Sequence, residues 1–247
     1  MTTFVLNHLT FISMKKIGLI GGMSWESSRV YYDIINRRTQ QLLGGFHSSK
    51  CVMESVDFAE IEKLQHADDW KALDQKMAEA AVNLENASAD LVILCTNTMH
   101  LCSEAIASSV KIPFLHIAGA TGKKIKEKRL KKVLLLGTNF TMEKGFYKDV
   151  LQKDYDIEVM VPDEKDRKLV HEIIYQELVL GKIVAESKAT CLRVINEFKD
   201  QGVEGVILGC TEIPLLIGQE DVDIPVFDTT KIHAEAAVQF AINGDHN

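Results

Sequence analysis

The chain has 247 residues, with 28 Lys and Arg against 35 Asp and Glu for a formal charge of −7, and it is 46% hydrophobic and 26% charged. At roughly 150 residues per domain, that length holds one to two domains with a sizeable core. The acidic balance and the absence of any block of five like charges exclude a nucleic-acid surface, and the densest basic stretch, 123–132, is interrupted by Ile125, Glu127 and Leu130, as on a solvated helix ending at a strand.

Residues 1–13 are mildly apolar but lack a basic region and a small-residue cleavage site, so they read as a loose extension rather than a signal peptide. No run of 18 apolar residues exists, so no membrane span is expected. Cysteines 51, 95, 102, 191 and 210 form no Cys-x-x-Cys pair. That excludes a disulfide framework and a zinc knuckle and points to a reducing compartment, the cytoplasm. The histidines carry no metal spacing, and no metal is expected.

The first strand-like run is Lys15-Lys16-Ile17-Gly18-Leu19-Ile20-Gly21, followed by Gly21-Gly22-Met23-Ser24-Trp25-Glu26-Ser27 and a helical pattern over 24–44. The glycines permit a tight turn, and the free N–H groups at the start of the helix suit a carboxylate. The spacing matches neither a dinucleotide fingerprint nor a P-loop, so nucleotide binding is disfavoured. A strand over 50–56, a helix over 70–89, and short strands at Val92-Ile93-Leu94 and Ile112-Pro113-Phe114-Leu115 complete the first half.

The second half repeats this order. Lys131-Lys132-Val133-Leu134-Leu135-Leu136-Gly137 matches the run from Lys15, Val206-Ile207-Leu208 matches that from Val92, and Ile224-Pro225-Val226-Phe227 matches that from Ile112, at spacings of 116, 114 and 112 residues. A strand over 157–161 and helices over 166–180 and 185–201 lie between them. Short β-branched strands alternating with helices predict an α/β fold with two pseudo-symmetric parallel-sheet, flavodoxin-like domains of about four strands each. Their expected bounds are 15–116 and 117–229, with a C-terminal helix over 230–243 packing back on the first. Ligands in such sheets bind beyond the carboxyl ends of the strands, here after Ile20, Leu94, Leu136 and Leu208, at the interface between the domains.

Leu94 is followed by Cys95-Thr96-Asn97-Thr98-Met99-His100 and Leu208 by Gly209-Cys210-Thr211-Glu212-Ile213-Pro214. Ungapped alignment of the repeats pairs Thr96, not Cys95, with Cys210. Cys51, Cys102 and Cys191 read as small buried hydrophobes. Cys210 lies where a strand gives way to a helix, a setting expected to lower a thiol's pKa toward neutrality.

These signatures, with the Gly-Gly-Met opening and the duplicated halves, resemble the aspartate/glutamate racemase superfamily over residues 15–243. Within it, the Gly-Gly-Met-Ser-Trp-Glu-Ser and Cys-Thr-Asn-Thr-Met-His runs resemble the branch of broad-specificity amino-acid racemases. The resemblance implies a cofactor-independent racemase with one proton-transferring residue on each face of the substrate α-carbon, a small carboxylate substrate, and a homodimer. Where aspartate racemases have a cysteine directly before Asn-Thr, this chain has Thr96. Because strand side chains alternate, Thr96 and Cys210 are the expected catalytic pair, with Cys95 as the fallback if the strand end is bulged.

Met23, Ser24, Asn97, Thr98, Thr138, Thr141, Thr211 and Glu212 fall at substrate-binding positions of the resemblance, Asn97, Thr98 and Thr211 as carboxylate donors. Lys168 falls where the family has a lysine for a distal carboxylate. The partner arginine is missing after the 52–56 strand, which puts strict aspartate specificity in question, and Gln65 is the candidate for its role. His100 and Glu212, each one step inside a helix, are placed to orient catalytic groups, with a hydrogen-bonded structural role the preferred reading for His100. The other readings are a decarboxylase or cis-trans isomerase of small diacids, and a non-catalytic amino-acid binding protein.

Overall fold

The computed structural model describes residues 14–244; the extension expected over 1–13 lies outside them. In the first half β1 (Ile17–Gly21) lies between β2 (Cys51–Ser55) and β3 (Leu91–Leu94), all parallel, in the order β2-β1-β3. In the second half β4 (Lys132–Gly137), β5 (Glu158–Met160), β6 (Gly205–Gly209) and β7 (Val226–Asp228) run parallel in the order β5-β4-β6-β7. Every residue of β1, β3 and β6 is buried, as strands covered by helices on both faces require. The result is a two-domain α/β fold with a parallel sheet in each half.

Helices stand at the expected stretches, with others between them. They are α1 (Trp25–Leu43), α2 (Phe58–His66), α3 (Trp70–Asn86), α4 (Ser103–Ser109) and α5 (Ile117–Glu127). After them come α6 (Asn139–Glu143), α7 (Gly145–Tyr155), α8 (Glu164–Gln176), α9 (Ala185–Asp200) and α10 (Thr229–Asn243). Of these, α2, α4, α6 and α7 are additional to the expected helices. The helix expected over 166–180 divides: α8 ends at Gln176, Glu177 leaves helical geometry (φ −125°, ψ −67°), and a 3-10 turn, Leu178–Leu180, closes on Gly181 at φ 71°. Among the described residues no helix is long and apolar enough to cross a membrane.

Among the described residues the first sheet has three strands, not the expected four. Residues 112–115 make a single bridge, Phe114 to Val92, with Val92 N–H donating to the Pro113 carbonyl at 2.8 Å and Leu115 N–H to the Val92 carbonyl at 2.9 Å. The Leu115 carbonyl, the next acceptor of that ladder, instead receives His233 Nε2 at 2.8 Å, which ends the pairing. His116 and Asp228 then do the same work in the two halves, capping α5 through Ala118 N–H and α10 through Lys231 N–H.

α10 returns to the first half. Ala234, Ala237 and Val238 pack against Leu19, Tyr31 and Ile35 in one apolar cluster. Gly22 makes the turn after β1 possible: at φ 98°, a Cβ would stand 2.1 Å from the Val56 carbonyl oxygen. That turn brings Met23 and Ser24 to the carboxyl end of the sheet, where the loops of both halves converge.

Candidate active site

Alternation at the end of β3 sends Cys95 and Thr96 to opposite sides. Cys95 is 1% exposed in the cluster of Leu19, Tyr31 and Ala234, under α1 and α10, and burial pushes its thiol pKa up. Thr96 lines a cavity of about 90 Å³ on the other side. Cys210, just past β6, lines the same cavity from the second half. Met23, Ser24, Gln65, Asn97 and Thr98 complete the first wall, and Thr138, Thr211 and Glu212 the second.

Three polar bridges cross the cleft. Ser27 Oγ meets Thr211 Oγ1 at 2.8 Å, Thr98 Oγ1 meets Thr138 Oγ1 at 3.3 Å, and Asn97 Nδ2 donates to Thr229 Oγ1 at 3.1 Å. The last bond fixes the Asn97 amide. The Thr229 hydroxyl gives its proton to the Leu208 carbonyl at 2.9 Å, so it can only accept from Asn97. Asn97 Oδ1 is buried with no hydrogen-bond partner among the described residues. The amide nitrogen carries two hydrogens, so the bond to Thr229 takes one donor and leaves the second.

Cys210 Sγ donates to Glu212 Oε2 at 2.8 Å, and Thr211 Oγ1 donates to the same oxygen at 2.6 Å. Burial first, and then the charge and hydrogen bond of Glu212, hold the Cys210 thiol well above its ordinary range. The sequence expectation of a lowered pKa is therefore reversed: removal of water outweighs the strand-to-helix setting, and Cys210 rests as a thiol. With its hydroxyl committed to Glu212, Thr211 has no proton left for a substrate carboxylate.

Gln65 reaches the cavity while its Nε2 donates to Met99 Sδ at 3.1 Å. Thr141 stands behind Thr138, Oγ1 to Oγ1 3.2 Å, fully buried and off the cavity wall. Lys168 is exposed on α8 and does not line the cavity. Among the described residues Glu212 is the only charged side chain in the lining. Sequence reading missed Ser27, Phe58, Met99, Ile174, Tyr175 and Val179, all in the wall. Ser27 had a signal, three residues after the capping Ser24; Tyr175, near the end of α8, and Val179, in the turn that follows it, had none.

His100, fully buried, sits in a short 3-10 turn, Thr98–Cys102. Its Nδ1 lies 2.8 Å from the Thr96 carbonyl, and Ile117 N–H donates to its Nε2 at 3.2 Å. Burial first, then His116 and His233, hold its pKa well below the ordinary histidine range, so the ring is neutral.

The family profile described as Asp/Glu/Hydantoin racemase matches residues 20–237. The chain is 24% identical over 234 residues to the broad specificity amino-acid racemase RacX of Bacillus subtilis (strain 168), covering 90% of this chain and 96% of that one. Its structure is similar to that of a candidate Asp/Glu racemase from Yersinia pestis, with a TM-score of 0.90, 49% identity, and coverage of 93% of this chain and 100% of the other. An aspartate racemase homologue from Pyrococcus horikoshii OT3 matches with a TM-score of 0.83 and 34% identity, over 92% of this chain and 99% of its own.

Proposed function

The chain belongs to the Asp/Glu/Hydantoin racemase family, and from that premise we propose that it is a cofactor-independent amino-acid racemase with Cys210 and Thr96 as its two proton-transferring residues. What supports the reading is that these symmetry mates of the internal repeat border one cavity from opposite halves.

The substrate ammonium is received by Glu212 Oε1, on the one charged side chain of the described lining. The substrate carboxylate takes the Thr98 hydroxyl and the Asn97 main-chain N–H. Glu212 Oε2, already the acceptor of the Sγ proton, takes it as substrate binds, and Oε1 stays an acceptor for the ammonium. The thiolate then removes the α-proton of one enantiomer, and the Thr96 hydroxyl delivers a proton to the opposite face. Glu212 releases its proton and Thr96 regains one from water, so the net change is inversion. Neutral donors around the carboxylate stabilise the charge that develops on the carbanion.

A hydroxyl is a far weaker base than a thiolate, so the two directions differ in kcat and KM, while their kcat/KM values stay equal because enantiomers are equally stable. With Phe58, Met99, Ile174, Tyr175 and Val179 in the wall and no lysine or arginine among the described lining residues, a neutral side chain is favoured over a second carboxylate. A homodimer in the cytoplasm is part of the same reading and rests on the resemblance and on cysteine usage.

The test is a panel of amino-acid enantiomers followed by circular dichroism. Loss of optical rotation with a neutral amino acid is the expected result. Release of CO₂ from a malonate derivative, or ligand binding with no turnover on any member, overturns the reading.

A further inference from the structure

Thr96 lies beyond the last ladder pair of β3, and its main chain is held at one point among the described residues, the carbonyl that meets His100. The direction of that bond follows from the other side of the ring. A backbone N–H can only donate, so Ile117 makes Nε2 a bare acceptor; the neutral ring then carries its proton on Nδ1 and donates it to Thr96. The ring centroid lies 5.7 Å from Phe114, 4.7 Å from His116 and 5.7 Å from His233, and the side chain is fully buried, so it is locked in place. His100 thus ties the end of β3 to the first residue of α5.

We infer that His100 is a positioning residue for proton transfer at Thr96: its Nδ1–H bond to the Thr96 carbonyl holds that peptide unit at the cavity wall, with the hydroxyl facing the substrate. This rests on the reading of Thr96 as the second proton-transfer group. Proton transfer needs heavy-atom distances of about 2.6–3.2 Å, so a small rotation of that peptide is enough to take the hydroxyl out of range. Cys210, on the other loop, has no hydrogen bond to His100 or Ile117 among the described residues and keeps its own half of the reaction.

Two substitutions divide the bonds. His100→Gln keeps an acceptor near Nε2 for Ile117 N–H and loses the donor to Thr96. His100→Asn keeps a donor near Nδ1 for Thr96 and loses the acceptor. The readout, in D₂O, is the ratio of α-hydrogen exchange to inversion for the enantiomer whose α-hydrogen faces Cys210. Exchange with retention needs Cys210 alone, inversion needs Thr96 too, and changes in binding or in folded fraction cancel in the ratio. H100Q is expected to raise the ratio by about tenfold or more, and H100N to return it to near the parent value.

An unchanged ratio in H100Q, including the case where exchange and inversion fall together, overturns the inference. Thr96→Ala separates the two levels: it should raise the ratio at least as far as H100Q, and normal inversion in T96A sinks the Thr96 assignment itself. If H100Q does not fold, ring ¹⁵N shifts of the unsubstituted protein decide. A protonated Nδ1 with a bare Nε2 supports the inference, and the opposite tautomer overturns it.

Discussion

Asn97 Nδ2 donates to Thr229 Oγ1, and that hydroxyl donates to the Leu208 carbonyl, two residues before Cys210. One fully buried side chain thus fastens the loop carrying Thr96 to the strand carrying Cys210. Thr229→Val keeps the shape and removes both bonds, leaving the buried Asn97 amide without its acceptor. A loss of about 1–3 kcal/mol in urea unfolding is expected, with lower kcat, while Thr229→Ser stays near the parent. A valine variant as stable and active as the parent would show that the two loops are held by other contacts.

Glu212 has opposite effects on the thiol's resting state and on its catalytic use. Its negative charge raises the Cys210 pKa, so Glu212→Gln should lower it and speed alkylation by iodoacetamide at a fixed pH near 8. Turnover should nevertheless fall, since the acceptor of the Sγ proton is gone. Alkylation and inversion moving in the same direction would count against Glu212 as that acceptor.

The positions that local rules reach were legible. Strand alternation put Thr96 on the cavity side and Cys95 in the core, and the repeat register gave Cys210 as its mate. What failed depends on contacts distant in sequence. The first sheet loses a strand because His233, 118 residues away, takes the Leu115 carbonyl. The Cys210 pKa was misread because sequence shows its neighbours but not the water they exclude. Lys168 faces solvent because the rotation of α8, not its composition, decides which side reaches the cleft, and the same helix delivers Tyr175 instead.

Acid should unfold the protein through its histidines. Burial is the main cause that lowers His116 to about 4 and His233 to about 3, and His100 is also held well below its ordinary value. Each group binds fewer protons folded than unfolded, where its pKa is about 6.5, so stability is full above about pH 7 and is lost as pH falls below 6.5. At pH 5, His116 and His233 should each remove about 2 kcal/mol relative to pH 8. Urea midpoints measured from pH 8 to pH 5 test this. A flat profile above pH 5 would mean that the three rings are already charged, or solvated, in the native state.

The two cysteines at the strand ends should part company completely. Cys95 packs against Leu19 and Tyr31 on the far side of the sheet, so Cys95→Ala removes a buried sulfur at a stability cost of about 1 kcal/mol and leaves both kcat and exchange near the parent values. Cys210→Ala removes the thiol from the cavity wall and should abolish exchange and inversion while retaining carboxylate affinity. Limited alkylation followed by peptide mass mapping gives an independent check: reagent small enough to enter the cavity should label Cys210 first and be blocked by a bound amino acid. Loss of turnover in a well-folded C95A variant, or labelling of Cys95 ahead of Cys210, would return the second catalytic role to the fallback thiol and take it from Thr96.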